Sequence, residues 1–372
     1  MSSAQADSLP PLVLTCGNVG QGRPWAAIRP RAIEEQRVAG FARAILSFRL
    51  RVRRDPEVTM CTDAIDGEEQ LDVVILGAGT AGVSCALECF DIQLDTAVFE
   101  ADERPGGQLV EIPHSVRNLV IGSSRDGRAL RDSLEQSAAI LGDRLRRSHP
   151  VTRVDLGERW IEVGAARIRG RTLVIATGTY HQQLLAAKDG AFGGDVTYLL
   201  EARPGRFVGR DVVVIGGGDS GTLDALELAR SGSRVWLVHR SEALAARHDI
   251  VEQVRREPRI EELPGWELDS LEGDDRLAAV TVVRRADGER RRLEAGGLVV
   301  KIARVPRTDL FRGQLELDRA GAIVVDREMQ TSRDGVFAAG DVVADSYARI
   351  ASAAGQGSLA ARSVLRHLQS HM

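Results

Sequence analysis

The chain has 372 residues, of which 43% are hydrophobic, and its formal net charge is −4. This length allows about two domains, the slight acidity gives no global reason to expect nucleic acid as a partner, and no apolar run is long enough for a membrane span. The four cysteines, Cys16, Cys61, Cys85 and Cys89, form neither a disulfide framework nor a C-x-x-C pair, so we expect a protein of the reducing cytoplasm.

Residues 1–69 differ in composition from the rest of the chain and form a predicted N-terminal appendage. They combine early prolines and glycines with an arginine-rich stretch over residues 23–54. A short amphipathic helix near residues 39–50, a targeting peptide, a disordered tail, and an extension arising from a misassigned start upstream of Met60 are the alternatives. No periodic apolar face is sustained there, so no packed core is predicted for this segment.

The first candidate nucleotide site follows an apolar strand predicted for residues 72–76. The strand runs into a G-x-G-x-x-G motif made of Gly77, Ala78, Gly79, Thr80, Ala81 and Gly82. The first glycine of such a motif permits a tight turn, the second allows close approach to a pyrophosphate, and the third lets the next helix pack closely. After a predicted helix at 83–90 and a strand at 96–99, Glu100 is placed to accept a hydrogen bond from an adenosine ribose hydroxyl.

A second site repeats the pattern after a strand predicted for residues 211–215. Its motif consists of Gly216, Gly217, Gly218, Asp219, Ser220 and Gly221, and a helix is predicted for 222–230. The following strand, 234–238, ends in His239 and Arg240 instead of an acid, which suits a ribose 2′-phosphate. Two such sites imply two different dinucleotides, and FAD at the first with NADPH at the second is the economical assignment.

Further motifs recur in a fixed order along the chain. They lie at 106–109 (Gly-Gly-Gln-Leu), 176–178 (Ala-Thr-Gly), 311–317, 336–342 (ending Ala-Gly-Asp-Val) and 353–357. Together with the two nucleotide motifs, they resemble the low-molecular-weight thioredoxin reductase branch of the FAD-dependent pyridine-nucleotide disulfide oxidoreductases. The resemblance covers residues 71–368.

This resemblance implies an α/β fold with two Rossmann-like dinucleotide-binding domains. The NAD(P)H domain, residues 184–292, is expected to be inserted into a discontinuous FAD domain formed by residues 70–183 and 293–372. Asp341 is expected to bind the flavin ribityl chain, and the family is usually homodimeric. The other residues assigned to the FAD site by resemblance are Gly107, Gln108, Ala176, Thr177, Gly178 and Gly340.

The chain departs from this family at the redox disulfide. The family carries Val-Ser-Tyr-Cys-Ala-Thr-Cys ahead of the second nucleotide strand, whereas this chain reads Val-Thr-Tyr-Leu-Leu-Glu-Ala over residues 196–202. Leu199 and Ala202 therefore stand where the cysteines belong, and neither can form a mixed disulfide. Cys85 and Cys89 share one face of the first helix, where small-residue packing is the favoured interpretation.

Two basic positions also differ. The family follows its second nucleotide strand with His-Arg-Arg and a further arginine, whereas here Ser241 and Ala245 replace two of the three arginines. We expect a weakened NADPH preference, leave NADH open, and consider Arg247 a candidate substitute. Arg349 replaces a glutamine beside the flavin; one hypothesis places it near flavin N1 and the C2 carbonyl, and the alternative points it to solvent.

The function predicted from these features is hydride uptake from NAD(P)H followed by direct transfer from the flavin to an external acceptor. That acceptor is expected to be ferredoxin or flavodoxin, a small disulfide or a quinone; no catalytic acid or base, no metal and no membrane partner are expected. A hairpin predicted for residues 284–292 has a basic rim. This rim either attracts an acidic electron carrier or is an ordinary solvated surface. The alternatives are a flavin-binding sensor or assembly protein without turnover, and a thioredoxin-disulfide reductase.

Overall fold

The computed structural model describes residues 69–112, 114–120, 122–184, 187–200 and 205–371. The N-terminal segment preceding Glu69, with Cys16, Met60 and Cys61, lies outside the described residues, as does Ala202. The interpretations placed on those positions therefore stay predictions. Within the described part, no helix has the length and apolar character needed to cross a membrane.

One α-helix follows each nucleotide motif, as the sequence predicts, and a long helix lies at the C-terminal end of the described residues. Both motif helices start at the residue after the second motif glycine, three residues before the sequence prediction, since the first helical turn includes the motif itself. The α-helices are α1 Thr80–Asp91, α2 Gly127–Ala138, α3 Ala191–Gly194, α4 Asp219–Arg230, α5 His248–Arg256 and α6 Ile350–Ser370. Short 3-10 helices span Gly107–Glu111, Ala139–Arg144 and Asp309–Phe311.

The strands form two main sheets and two small ones. Their bounds are β1 Glu69–Leu76, β2 Thr96–Phe99, β3 Leu145–Arg146, β4 Val151–Asp155, β5 Trp160–Val163, β6 Ala166–Ile175, β7 Thr179–His181, β8 Val196–Thr197, β9 Asp211–Ile215, β10 Arg234–His239, β11 Ile260–Pro264, β12 Trp266–Gly273, β13 Leu277–Arg284, β14 Arg290–Glu294, β15 Gly297–Val300, β16 Arg304–Pro306 and β17 Val336–Ala338.

The first sheet has the order β3-β2-β1-β6-β5-β4, and β17 adds to β6. β1, β2, β3, β6 and β17 run parallel, while β4 and β5 form an antiparallel extension. The strand cores are continuous apolar runs because both faces are covered. One face packs on α1 and α6, and Cys85 and Cys89 are fully buried in that cluster.

The second sheet is wholly parallel, with the order β11-β10-β9-β15-β8. An antiparallel sheet, β12-β13-β14, packs against it, and the strand pair β7 and β16 leads into and out of this region. The chain therefore has two Rossmann-like domains, with the second inserted into the first.

The predicted end of the inserted domain needs correction. Residue 292 falls inside β14, and β15 still pairs with β9 and β8 of the second sheet. The resemblance placed the boundary at 292, but the short apolar run after it completes the second sheet. We propose that the boundary lies between β15 and β16.

Asp195 anchors the segment that leads into β8. Its fully buried carboxylate accepts hydrogen bonds from Arg276 at 2.6 Å, Arg210 at 2.9 Å and Arg206 at 3.0 Å. Burial raises the pKa of Asp195, but the hydrogen bonds from Arg276 and Arg210 outweigh burial and hold the pKa far below its usual value. Because the folded pKa is depressed, this stabilisation is present at neutral pH and is lost as the pH falls into the acid range.

We expect Asp195→Ala to lower the free energy of unfolding by about 3 kcal/mol, because it breaks a buried ion pair. This value is at the low end for such a change, since the three arginines remain partly exposed. Urea denaturation followed by tryptophan fluorescence measures the change, since Trp236 and Trp266 lie in the same core. The exposed Asp274→Ala is the matched control and should change the midpoint little. Equal midpoints for the two variants at neutral pH would contradict the role of Asp195.

Candidate functional site

The first glycine motif connects β1 to α1 at the carboxyl end of the sheet. Gly77 has φ +98°, and a Cβ there would lie 2.6 Å from the Ala176 carbonyl oxygen. A Cβ on Gly82 would lie 1.9 Å from the carbonyl oxygen of Gly77. Packing within the protein therefore requires both of these glycines.

Gly79 is different, because nothing in the described protein requires a glycine there. Its backbone is extended, with φ −70° and ψ −175°, and a Cβ would meet no atom within 4 Å. Among the described residues no side chain caps α1, so the N–H groups of Thr80 and Ala81 in its first turn point toward open space. An open cradle at a helix N-terminus fits a pyrophosphate.

Glu100 lies at the end of β2, as predicted, and is buried. Its Oε2 accepts a hydrogen bond from Ala78 N at 2.7 Å, and its Oε1 accepts one from Asp102 N at 3.0 Å. The carboxylate therefore fixes the glycine motif to the neighbouring strand, a role that the sequence did not reveal. Each oxygen keeps a second lone pair, which leaves the predicted ribose contact open.

Three other predicted segments converge on the same edge. Gly106 N donates to Ala78 O at 2.8 Å, which brings the loop containing Gly107 over the glycine motif. Gln108 Nε2 donates to Asp341 Oδ2 at 3.3 Å, and it lies against Gly178. Residues distant in sequence thus form one continuous surface.

Asp341 is a half-buried carboxylate with one long hydrogen bond. Burial raises its pKa above the usual value, although the nearby Arg304 and the hydrogen bond from Gln108 oppose this shift. A carboxylate that has lost water in this way is suited to accept hydrogen bonds from ligand hydroxyl groups. The backbone before it is held by Gln356 of α6, whose Oε1 accepts from Gly340 N at 2.8 Å. The sequence contained Gln356 in a motif without revealing this role.

Thr177 and Gly178 connect the first sheet to the strand pair β7 and β16. Thr177 Oγ1 donates to the Arg307 carbonyl oxygen at 2.8 Å, and Arg307 N donates to the Gly178 carbonyl oxygen at 2.9 Å. The Thr177 hydroxyl is therefore engaged with the protein, while Ala176 is buried behind Gly77.

A half-buried charged cluster next to Asp341 was missed. His181 on β7 stands opposite Arg304 on β16, and both contact Glu111, with a His181 Nε2 to Glu111 Oε2 distance of 3.1 Å. Burial raises the pKa of Glu111, but His181 and Arg304 outweigh it and hold that pKa below its usual range. Only the pairing of two strands far apart in sequence brings these groups together, so no local motif could reveal them.

The second glycine motif repeats the first in detail. A Cβ on Gly216 would lie 2.0 Å from Lys301 O, and one on Gly221 would lie 2.1 Å from Gly216 O. Gly218 has φ −88° and open space where a Cβ would be, and it precedes α4, which no side chain among the described residues caps. Ser220 is exposed in the first turn. The second motif therefore offers the same cradle for a pyrophosphate.

The last residue of β10, His239, and the residue after it, Arg240, have different environments. His239 is buried against Gly217, and its Nε2 lies 3.0 Å from Glu262 Oε1. Arg240 is exposed, has no hydrogen-bond or ion-pair partner among the described residues, and lines an open cleft of about 480 Å³ with Glu242 and Arg284. Arg240 is thus the cation after this strand that is free to meet a ligand phosphate.

Arg247 and Arg349 both lie close to Asp219. Arg247 N donates to Asp219 Oδ1 at 2.9 Å, so this arginine lies at the start of α4, and its contact with a ligand phosphate stays a prediction. The Arg349 guanidinium stacks on Tyr347 and lies 3.8 Å from Asp219 Oδ2. Arg349 therefore connects the start of α6 to the second nucleotide motif, and its proximity to the flavin stays a prediction.

The segment that aligns with the family's cysteine pair follows β8. Tyr198 is buried and holds the chain by accepting from Leu184 N at 2.7 Å. Leu199 is half-buried directly after it. Cys85 and Cys89 lie on α1 with both thiols buried, and the hydrogen bond that Cys85 shares with Cys89, together with burial, raises the pKa of Cys85. Cys85 is therefore poorly suited to form a thiolate.

The comparisons with known proteins agree with this geometry. Residues 71–357 match the family model of the pyridine nucleotide-disulphide oxidoreductases. Thioredoxin reductase of Streptomyces clavuligerus is 33% identical over 80% of this chain and 94% of its own. A 34.2 kDa protein in the rubredoxin operon of Clostridium pasteurianum is 29% identical over 79% of this chain and 96% of its own. The crystal structure of Lactococcus lactis thioredoxin reductase has a TM-score of 0.74 at 27% identity, covering 81% of this chain and 99% of that one.

Each of the two main sheets therefore carries an open glycine cradle that fits a dinucleotide pyrophosphate. The chain belongs to the pyridine nucleotide-disulphide oxidoreductase family and is similar to its thioredoxin reductase branch. The cofactors of this family are FAD and NAD(P)H, which are those that the sequence predicts.

Proposed function

We propose that this chain takes hydride from NAD(P)H and passes electrons from FAD directly to an external acceptor, without an internal disulfide. The observation that carries the proposal is Leu199, which stands after β8 where the aligned family motif has its first cysteine. A leucine offers no sulfur for thiol–disulfide exchange. The buried thiols of Cys85 and Cys89 on α1 do not replace it.

In this proposal, the protein's contribution is to hold two nucleotides. The open positions at Gly79 and Gly218 accept the two pyrophosphates, with FAD at the first and NAD(P)H at the second. Glu100 and Asp341 supply carboxylate acceptors for hydroxyl groups at the first site. When bound, FAD supplies the hydride-accepting and electron-releasing chemistry, so no protein acid or base is required.

The second site has fewer arginines available to bind a ribose 2′-phosphate than the three of the family pattern. Arg240 is exposed and unpaired among the described residues, whereas Arg247 is engaged with Asp219. Removing charge-assisted contacts of this kind costs about 1.5–3 kcal/mol each. The proposal therefore includes use of NADPH with a weaker preference over NADH than three arginines would give.

A small redox protein is the acceptor that we favour. The similarity to a protein of a rubredoxin operon supports this class, which includes ferredoxin and flavodoxin. A small disulfide and a quinone are the alternative acceptors. The hairpin of β13 and β14 is a weak docking candidate, because Arg284, Arg290 and Arg291 pair with acidic residues at 2.6 to 3.3 Å. The family resemblance implies a homodimer, and the cysteine pattern predicts the cytoplasm as its location.

Anaerobic stopped-flow mixing tests whether the second site delivers hydride to the flavin. We expect the flavin absorbance of the FAD-loaded chain to bleach within seconds on addition of NADPH, and also with NADH at a higher concentration. A flavin-binding sensor without turnover would instead keep its absorbance with both nucleotides. Dithionite bleaching serves as the control that the bound flavin is reducible.

A further inference from the structure

A cluster of two histidines and one aspartate lies at the end of α6, remote from both nucleotide motifs. His367 and His371 are one helical turn apart, and Asp334 precedes β17. One ligand atom from each side chain lies within 4.8 Å of the others. Among the described residues, this is the one group of three potential ligands that comes so close together.

The hydrogen bonding of His371 directs a lone pair into the cluster. Its Nδ1 lies 2.8 Å from the His367 carbonyl oxygen, which can only accept, so the proton of the neutral ring is on Nδ1. Nε2 is then the free ligand atom, and it lies 3.9 Å from Asp334 Oδ2. A backbone carbonyl that fixes the histidine tautomer in this way is the usual support of a metal-binding histidine.

His367 contributes the second nitrogen. Its Nδ1 lies 3.6 Å from Asp334 Oδ1, and its ring packs edge-on against Phe337 with centroids 6.0 Å apart. Ligand atoms around a tetrahedral ion with bonds of about 2.1 Å lie roughly 3.4 Å apart, so small side-chain movements would complete the geometry.

We propose that Asp334, His367 and His371 bind a divalent transition-metal ion of the zinc class. Two imidazole nitrogens and one carboxylate oxygen are ligands that Zn²⁺ accepts, and the exposed side of Asp334 and His371 leaves room for water in the fourth position. Calcium and magnesium are disfavoured because they require oxygen ligands.

Such an ion would tie the end of α6 to the first sheet. α6 packs on α1, and its Gln356 holds Gly340 next to Asp341. Asp334 lies in the turn that leads directly into β17, whose strand pairs with β6. The ion would therefore act as a structural clamp on the FAD domain, without contact with the reacting groups.

Isothermal titration of the full, FAD-loaded chain with ZnCl₂ tests this site, using protein that carries no histidine tag and has been treated with a chelator. We expect His371→Ala and Asp334→Asn each to weaken zinc binding by at least about tenfold, the smallest loss typical of a disrupted metal site. His149→Ala is the matched control, because His149 is exposed and lies far from the cluster in the chain, and it should leave the isotherm unchanged.

Thermal melting of the same proteins provides an independent measurement. Zinc should raise the melting temperature of the unsubstituted chain and of His149→Ala, and this rise should be absent in His371→Ala and Asp334→Asn. MgCl₂ should give no rise in any of them. Unchanged zinc isotherms in both site variants would overturn the proposal, since the zinc would then be bound elsewhere, for example by cysteines. The absence of saturable zinc binding by the unsubstituted chain would also overturn it.

Discussion

Gly79→Val is expected to yield colourless protein that still folds. The extended backbone at Gly79 accepts any L-residue, and a Cβ there meets no protein atom within 4 Å, so the substitution leaves the protein packing intact. The valine side chain would instead fill the space proposed for the FAD pyrophosphate. We expect the ratio of flavin to protein to fall by at least about tenfold, because backbone approach at this glycine is what the motif provides.

The measurement is the ratio of flavin absorbance to protein, with chromatography of the released flavin, which should be FAD and not FMN. Gly218→Val is the matched control, because its environment in the second motif is equally open. That variant should keep FAD but lose bleaching by NAD(P)H. Stoichiometric FAD in Gly79→Val would show that the flavin binds elsewhere, and loss of FAD in both variants would show that the two sites are not separable.

The parts of the fold that follow from local sequence were predictable. The strand predicted for 96–99 and the strand predicted for 211–215 match β2 and β9, since each is a short apolar run with a clear end, β2 at Glu100 and β9 at the second glycine motif. In each motif, packing within the protein requires two of the three glycines, and the third has open space where a Cβ would be. From the sequence, these different roles could be inferred only from the general pattern of such motifs.

The parts that depend on contacts across the chain were not predictable. Glu100 was expected to meet a ribose, but its hydrogen bond to Ala78 requires the register between β1 and β2. Arg349 meets Asp219 only because the start of α6 lies beside the second motif. The cluster around Asp334 brings together an aspartate from a turn and two histidines from the end of a helix. The sequence therefore showed no recognisable metal-ligand spacing between the histidines and an acidic residue.

The second large effect concerns thioredoxin, which this chain should not reduce at a useful rate. Thiolate attack is the step by which a reductase passes two electrons to a protein disulfide, and Leu199 provides no sulfur for it. Ala202, outside the described residues, offers none either. An acceptor must therefore reach the flavin itself, which a small dye, a quinone or the exposed edge of an iron–sulfur protein can do more readily than the disulfide of a folded thioredoxin.

A paired assay with one enzyme preparation and NADPH tests this central claim most directly, with thioredoxin in one arm and ferredoxin, rubredoxin or a small dye in the other. We predict turnover with at least one direct acceptor, and thioredoxin reduction at least about a hundredfold slower, because no thiol relay is present. Cys85→Ala/Cys89→Ala, which removes the two buried thiols of α1, should leave the direct reaction unchanged. Fast thioredoxin reduction by the unsubstituted chain would contradict the account, and its loss in the double variant would identify those cysteines as the relay.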